Sequence, residues 1–178
     1  MSKREPKVGL DSQCLSYLLD AINGIGEPTD ELADERKALI RVWFYTPGTF
    51  YLSETVVAEC GRIRNISRRE LHESFVQVLF LDPPVQYRVL VGSRVSALLA
   101  IHPMANDCRV LAEAEDLELD ALLTYDKTFL QRLAPASLTV ALVTPAVYWA
   151  RLGIPKGARP ETVPHNRNPL SKESWWRW

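Results

Sequence analysis

The sequence predicts an α/β domain with a central, mostly parallel sheet flanked by helices. Short apolar runs alternate along the 178-residue chain with longer segments that repeat apolar residues every three or four positions. The first pattern is typical of buried strands and the second of amphipathic helices. Strands that alternate with helices favour parallel pairing, because each helix returns the chain to the same end of the sheet.

The first half of the chain is predicted to begin with a strand from Lys7 that ends at Asp11. Ser12 then opens a helix that Asn23-Gly24 closes. A second helix is expected from about Asp30 to Tyr45, where Pro47-Gly48 breaks it, and a short strand follows at 49–52. Ser53 is expected to cap the next helix, and a Ser67–Glu70 capping box to open another from Arg68. An apolar, β-prone run at 76–81 then precedes a long helix from Pro83-Pro84 to about Ile101.

The last third of the chain carries the clearest alternation of helices and strands. Its expected elements are a helix capped by Asn106 that reaches about Leu117, a strand at 121–124, a short helix at 127–133, a strand at 138–143, and a helix that begins at Pro145 and ends near Gly153. We therefore assign residues 1–153 to one domain and 154–178 to a basic, Trp-rich tail. The tail's Trp175, Trp176 and Trp178 could stack on bases, anchor in a partner or fold back on the domain.

Composition excludes several classes of protein. No apolar run reaches the roughly 18 residues that a membrane span needs, and the first ten residues lack a hydrophobic signal core. The three cysteines are an odd number without a CxxC pair, which disfavours both a zinc site and a disulfide framework. We therefore expect a cytoplasmic protein with no membrane contact.

Four acidic residues occupy positions where apolar side chains are expected. Asp11 and Asp126 follow two predicted strands, and ligand sites of parallel sheets lie beyond the carboxyl ends of the strands. If these strands are neighbours, both carboxylates lie at the same edge of the sheet. A buried carboxylate costs several kcal/mol unless it is compensated. Asp11 would alternatively cap the helix that follows it.

Helix geometry selects the other two acids. Glu59 falls on the apolar stripe of its helix, whereas Glu54 points about 140° away at 100° per residue. Asp107 likewise precedes an apolar stripe, although a charge in a first helical turn also suits the helix dipole. Asp116 faces the opposite side of that helix, a solvated position like those expected for Glu113 and Glu115.

Together these acids predict a site for Mg²⁺ or Mn²⁺, because hard cations prefer oxygen ligands and need only a few carboxylates. Such an ion activates water and stabilises charge on a phosphodiester. The histidines His72, His102 and His165 show no ligand spacing, and neither a nucleophile motif nor a phosphate-binding glycine loop is present.

Four segments resemble the PIN-domain ribonucleases, most of all the toxins of VapC-type toxin–antitoxin pairs. They are VGLDSQCLSYLLD, YLSETVVAEC, NDCRVLAEAEDLELDALLTYDKTFLQRL and VTPAVYWARL. The likeness covers about residues 7–152, and the third segment is the most specific. It implies a three-layer α/β/α fold and Mg²⁺- or Mn²⁺-dependent cleavage of single-stranded or structured RNA.

The resemblance also implies roles for individual residues. Asp11, Glu59 and Asp107 would bind metal directly or through water, Asp126 would complete the catalytic cluster, and Thr124 and Ser12 would support it. Family members often form homodimers, and the toxins bind an antitoxin protein. Five cationic side chains near the acids are candidates for RNA contacts, namely Arg62, Arg64, Arg68, Arg69 and Lys127.

Two other functions are compatible with an acidic α/β domain. One is a PIN-like module that binds RNA or protein without catalysis. The other is a phosphatase of the haloacid-dehalogenase type, but these enzymes need an Asp-x-Asp after the first strand. The chain has Asp11-Ser12-Gln13 at that position, so the second acid is missing.

Overall fold

The described part of the chain is built on a sheet of four parallel strands. A computed structural model describes residues 4–46, 49–80 and 87–178. The strands are β1 (Lys7–Leu10), β2 (Thr49–Tyr51), β3 (Ala121–Leu123) and β4 (Ala141–Val143), and their order across the sheet is β2-β1-β3-β4. The predicted α/β class with a parallel sheet is therefore confirmed.

The strand order creates a crevice at the carboxyl edge of the sheet. β1 pairs with β2 on one side and with β3 on the other, where Leu10 lies opposite Leu123. The connection from β1 leads to β2 on one side, and the chain then crosses to β3 on the other side. This reversal between β1 and β3 is the type of position where open parallel sheets bind ligands.

Eight α-helices surround this sheet within the described ranges, consistent with a three-layer α/β/α arrangement. They are α1 (Ser12–Ile22), α2 (Ala33–Tyr45), α3 (Glu54–Cys60), α4 (Ile66–Leu79), α5 (Arg88–Leu99), α6 (Ala105–Asp116), α7 (Lys127–Leu133) and α8 (Pro145–Leu152). None of the helices in these ranges combines the length and apolar character needed to cross a membrane.

Local capping rules predicted several boundaries correctly. The hydroxyl of Ser53 accepts a hydrogen bond from the Val56 amide at the start of α3. Helix α7 has the predicted bounds, and α8 begins at Pro145. Gly153 ends α8 in the left-handed conformation, with φ of 64°, which glycine adopts without steric cost.

Other boundaries were wrong. Helix α4 begins at Ile66 because Asn65, not Ser67, caps it by accepting a hydrogen bond from the Arg68 amide at 2.9 Å. Helix α6 begins before Asn106, which lies inside the helix. The β-prone run is helical from Val76 to Leu79. Strand β4 and helix α2 each start three residues later than expected, at Ala141 and Ala33.

The physical reason for the helical conformation at residues 76–79 is packing. Phe75, Val76 and Leu79 pack against the core from one face of α4, at helical spacing, so tertiary contact overrides β propensity. Leu81 and the predicted helix start at Pro83-Pro84 lie outside the described residues.

The tryptophans of segment 154–178 fold back on the domain. Trp176 is fully buried, and its ring centroid lies 4.8 Å from that of Phe44 on α2. Its indole N–H donates a hydrogen bond to the Leu170 carbonyl at 3.0 Å. The Trp178 ring packs edge-on against Trp149 of α8. Of the three arrangements open to the tail, the structure shows the intramolecular one.

Candidate functional site

The four predicted acids line one cleft at the carboxyl edge of the sheet. This acidic cleft has a volume of about 490 Å³. The side chains that line it include Asp11, Ser12, Glu59, Asp107 and Asp126, with His102 and Asn106 beside them, and no Lys or Arg is among its described lining residues. Residues separated by more than one hundred positions thus share a single strongly acidic surface.

Asp11 is the most buried of the four acids and is only 6% exposed. Its Oδ1 accepts a hydrogen bond from the Cys14 amide at 2.6 Å, so it also caps α1. Its Oδ2 accepts a hydrogen bond from the Thr124 hydroxyl, which in turn accepts one from the Asp126 amide at 3.0 Å. Thr124 therefore links the segments that carry two of the four acids.

Burial raises the pKa of Asp11 from 3.8 to about 6, and the charge of Asp126 adds to the increase. The hydrogen bonds from Thr124 and Cys14 oppose it. Desolvation dominates because a buried carboxylate loses its hydration without gaining a cationic partner. In the described ranges no Lys or Arg forms an ion pair with Asp11.

Asp11→Asn is expected to stabilise the metal-free protein near neutral pH. In the wild type, the preference of the folded state for the neutral carboxyl contributes fully to stability below pH 3.8. This contribution is lost as the pH rises through about 6. The increase in pKa corresponds to roughly 3 kcal/mol at most. Urea unfolding in EDTA should therefore show the variant more stable at about pH 7 and close to wild type at about pH 4.

Asp116→Asn is the matched control for that experiment, because Asp116 lies outside the acidic cleft and accepts a hydrogen bond from the Tyr87 amide at 3.2 Å. Parallel stability curves for Asp11→Asn and wild type from pH 4 to 7 would contradict the assigned pKa.

Asp126 combines a structural contact with its position in the cleft. Its Oδ1 accepts hydrogen bonds from the amides of Thr128 and Phe129 at 2.7 and 2.9 Å and so caps α7. No described residue donates a hydrogen bond to its Oδ2. That oxygen is the one available to a ligand in the cleft.

Each of the remaining two acids has a polar neighbour that fixes its carboxylate. The Asn106 side-chain amide donates a hydrogen bond to Glu59 Oε1 at 2.6 Å. His102 Nε2 lies 2.7 Å from Asp107 Oδ2. Glu54 lies outside the cleft, 3.6 Å from Arg88, so helix geometry correctly separated it from Glu59.

Sequence reasoning does not find His102 and Asn106. His102 is 1% exposed, and its Nδ1 atom has no hydrogen-bond partner in the described structure. It precedes α6 in a turn, where no helical periodicity relates it to Asp107, and the sequence pattern assigns Asn106 only the role of a helix cap. The packing of α3 against α6 brings Asn106 to Glu59. His102 reaches Asp107 from the segment that precedes α6.

The five cationic candidates for RNA contacts occupy different surroundings in the structure. Arg68 binds Asp20 through Nε at 3.1 Å, and His72 Nε2 lies 2.7 Å from the same carboxylate. Burial alone would raise the pKa of Asp20, but these two partners lower it below its usual value. Arg64, Arg69 and Lys127 do not line the acidic cleft, and Arg62 lines a neighbouring pocket.

The donor chemistry of the acidic cleft fits a hard divalent cation. Four carboxylates face one space that no described Lys or Arg lines, and Mg²⁺ and Mn²⁺ prefer oxygen donors. Among residues 4–46, 49–80 and 87–178, no three His, Cys, Asp or Glu side chains are close enough to hold one ion together. Mg²⁺ commonly keeps several waters, so carboxylates at such separations can act through them.

A scan of the chain against protein-family models finds no match, and a search of curated proteins finds none either. The function is therefore inferred from the residues of the cleft.

Proposed function

We propose that the protein is a Mg²⁺- or Mn²⁺-dependent endoribonuclease of the PIN type, acting as a VapC-like toxin. One observation carries the proposal: Asp11, Glu59, Asp107 and Asp126 line a single cleft at the switch point of a parallel sheet. Four carboxylates in a space that no described Lys or Arg lines are costly for the protein alone. They are explained if the cleft binds divalent cations beside a phosphodiester.

In this proposal Asp11, Glu59, Asp107 and Asp126 hold the metal, directly or through water. A divalent cation in the cleft would lower the pKa of a water molecule and stabilise the charge that develops on the phosphodiester. The protein's other residues orient the carboxylates: Thr124 acts on Asp11, Asn106 on Glu59 and His102 on Asp107. Mutation of such neighbouring residues typically lowers metal affinity by about 10- to 100-fold.

The resemblance extends the proposal to partners and location. Single-stranded RNA is the expected substrate, an antitoxin protein would regulate the cleft, and a homodimer is the expected assembly. The three cysteines are free and buried, which suits the proposed cytoplasmic location.

The decisive test combines RNA cleavage with metal binding. We expect the purified protein to cut a fluorescently labelled single-stranded RNA in Mg²⁺ or Mn²⁺, and EDTA should stop the reaction. Isothermal titration with Mn²⁺ should show binding that weakens as carboxylates are removed from the cleft. Metal binding without cleavage would favour the non-catalytic module, and the absence of both would refute the proposal.

A further inference from the structure

A second pocket lies next to the acidic cleft and contains arginine side chains, which the described lining of the cleft lacks. This arginine pocket has a volume of about 700 Å³ and is lined by Arg62, Arg88 and Arg109, together with Glu54 and Glu113. All three arginines are exposed, so their guanidinium groups are accessible to a ligand. This volume is larger than a single ion needs.

The arginine pocket continues the acidic cleft along α3 and α6. Asn106 lines both spaces. Arg109 follows Asn106 by three residues on α6, and Arg62 follows Glu59 by three residues in a turn closed by the hydrogen bond from the Arg62 amide to the Glu59 carbonyl. Side chains three positions apart are neighbours on a helical face. On α6 an arginine, Arg109, therefore lies one turn from Asn106, and at the end of α3 Arg62 lies one turn from Glu59.

The two glutamates leave Arg62 and Arg109 without an ion-pair partner in the described ranges. Glu113 is 2% exposed and accepts hydrogen bonds from the amide and the hydroxyl of Thr55, at 3.0 and 2.7 Å. Glu54 lies 3.6 Å from Arg88, and both side chains are largely exposed. In the described ranges neither Arg62 nor Arg109 forms an ion pair.

We propose that the arginine pocket binds the phosphate backbone of the RNA strand whose scissile phosphate enters the acidic cleft. The inference rests on the proposed function. An acidic cleft repels a polyanion, so productive binding needs cationic side chains next to it. Arginine suits this role because its planar guanidinium forms two parallel hydrogen bonds to a phosphate. Arg62 and Arg109 contact the phosphates beside the cleavage position.

The Arg62→Ala/Arg109→Ala double variant tests this assignment. We expect its Kd for a single-stranded RNA 12-mer to rise by at least about tenfold relative to wild type, measured by fluorescence anisotropy in EDTA so that no cleavage occurs. The plot of the logarithm of the RNA association constant against the logarithm of the salt concentration has a negative slope. This slope should become shallower by about 0.7 for each phosphate that the variant no longer neutralises. Arg151→Ala on α8 is the matched control and should retain wild-type affinity, because Arg151 lines neither space.

The outcomes separate this inference from the proposed function. If wild type cleaves RNA with Mg²⁺ but the double variant binds RNA with unchanged affinity and salt slope, the pocket assignment is overturned and the ribonuclease proposal remains. If wild type cleaves no RNA yet the double variant binds RNA more weakly, the pocket assignment is supported and the catalytic proposal fails. Thermal melting of each variant confirms that the fold is intact.

Discussion

Asp107→Asn is expected to reduce metal-dependent RNA cleavage by roughly 10²–10³-fold or more. The substitution removes one negative charge from the acidic cleft while keeping the shape of the side chain. Asp107 lies in the first turn of α6, where its Oδ2 is 2.7 Å from His102 Nε2. Metal affinity should fall together with cleavage, since the carboxylate is a proposed ligand. Cleavage rates of a labelled RNA at saturating Mn²⁺ measure the effect.

The control lies on the same helix. Asp116→Asn makes the same chemical change at the last residue of α6, outside the acidic cleft, and should cleave at the wild-type rate. Both variants should melt near the wild-type temperature, because asparagine keeps the shape of the side chain and an oxygen that can meet His102 Nε2 or the Tyr87 amide. Equal cleavage by Asp107→Asn and wild type would remove Asp107 from the site.

The convergence of the acids was predictable because it depends on strand order. Asp11 and Asp126 follow strands that pair directly, with Leu10 opposite Leu123. Parallel strands carry their carboxyl ends to one edge of the sheet, so a short apolar run followed by an acid predicts a carboxylate at that edge. The sequence left open whether the two strands are neighbours. Glu59 and Asp107 were found by helical periodicity, which needs no tertiary information.

Contacts between helices were not predictable in the same way. Glu113 was expected to be solvated, and this was wrong because α6 packs between α3 and α5, so that more than one of its faces is covered. Glu115 was also wrongly placed in solvent, since Arg94 binds its carboxylate at 2.6 Å. Arg68 binds Asp20 on α1, whereas Arg62 has no ion-pair partner in the described ranges. A single helix's periodicity cannot report the neighbour it packs against.

Trp176→Ala is expected to lower the free energy of unfolding by roughly 3–5 kcal/mol. The indole is fully buried against Phe44 and Tyr45 of α2. Its removal leaves a cavity and takes away one of the two hydrogen bonds to the Leu170 carbonyl, which keeps the one from the Glu173 amide. Arg41 of α2 donates a hydrogen bond to the Trp176 carbonyl at 3.3 Å, so the backbone around the cavity remains partly held. Urea denaturation monitored by circular dichroism measures the change.

Two comparisons determine whether this tryptophan acts only through stability. Trp178→Ala should lower the free energy of unfolding by less than Trp176→Ala, because Trp178 is 36% exposed.

The tail contacts the last residue of α1, where Asn168 donates a hydrogen bond to the Ile22 carbonyl at 2.7 Å. Since α1 has 11 residues, this contact lies roughly 16 Å along the helix from Asp11. The cleavage rate per folded molecule should therefore not change in Trp176→Ala below its melting temperature. Wild-type stability combined with weakened RNA binding would instead make the tail a nucleic-acid surface.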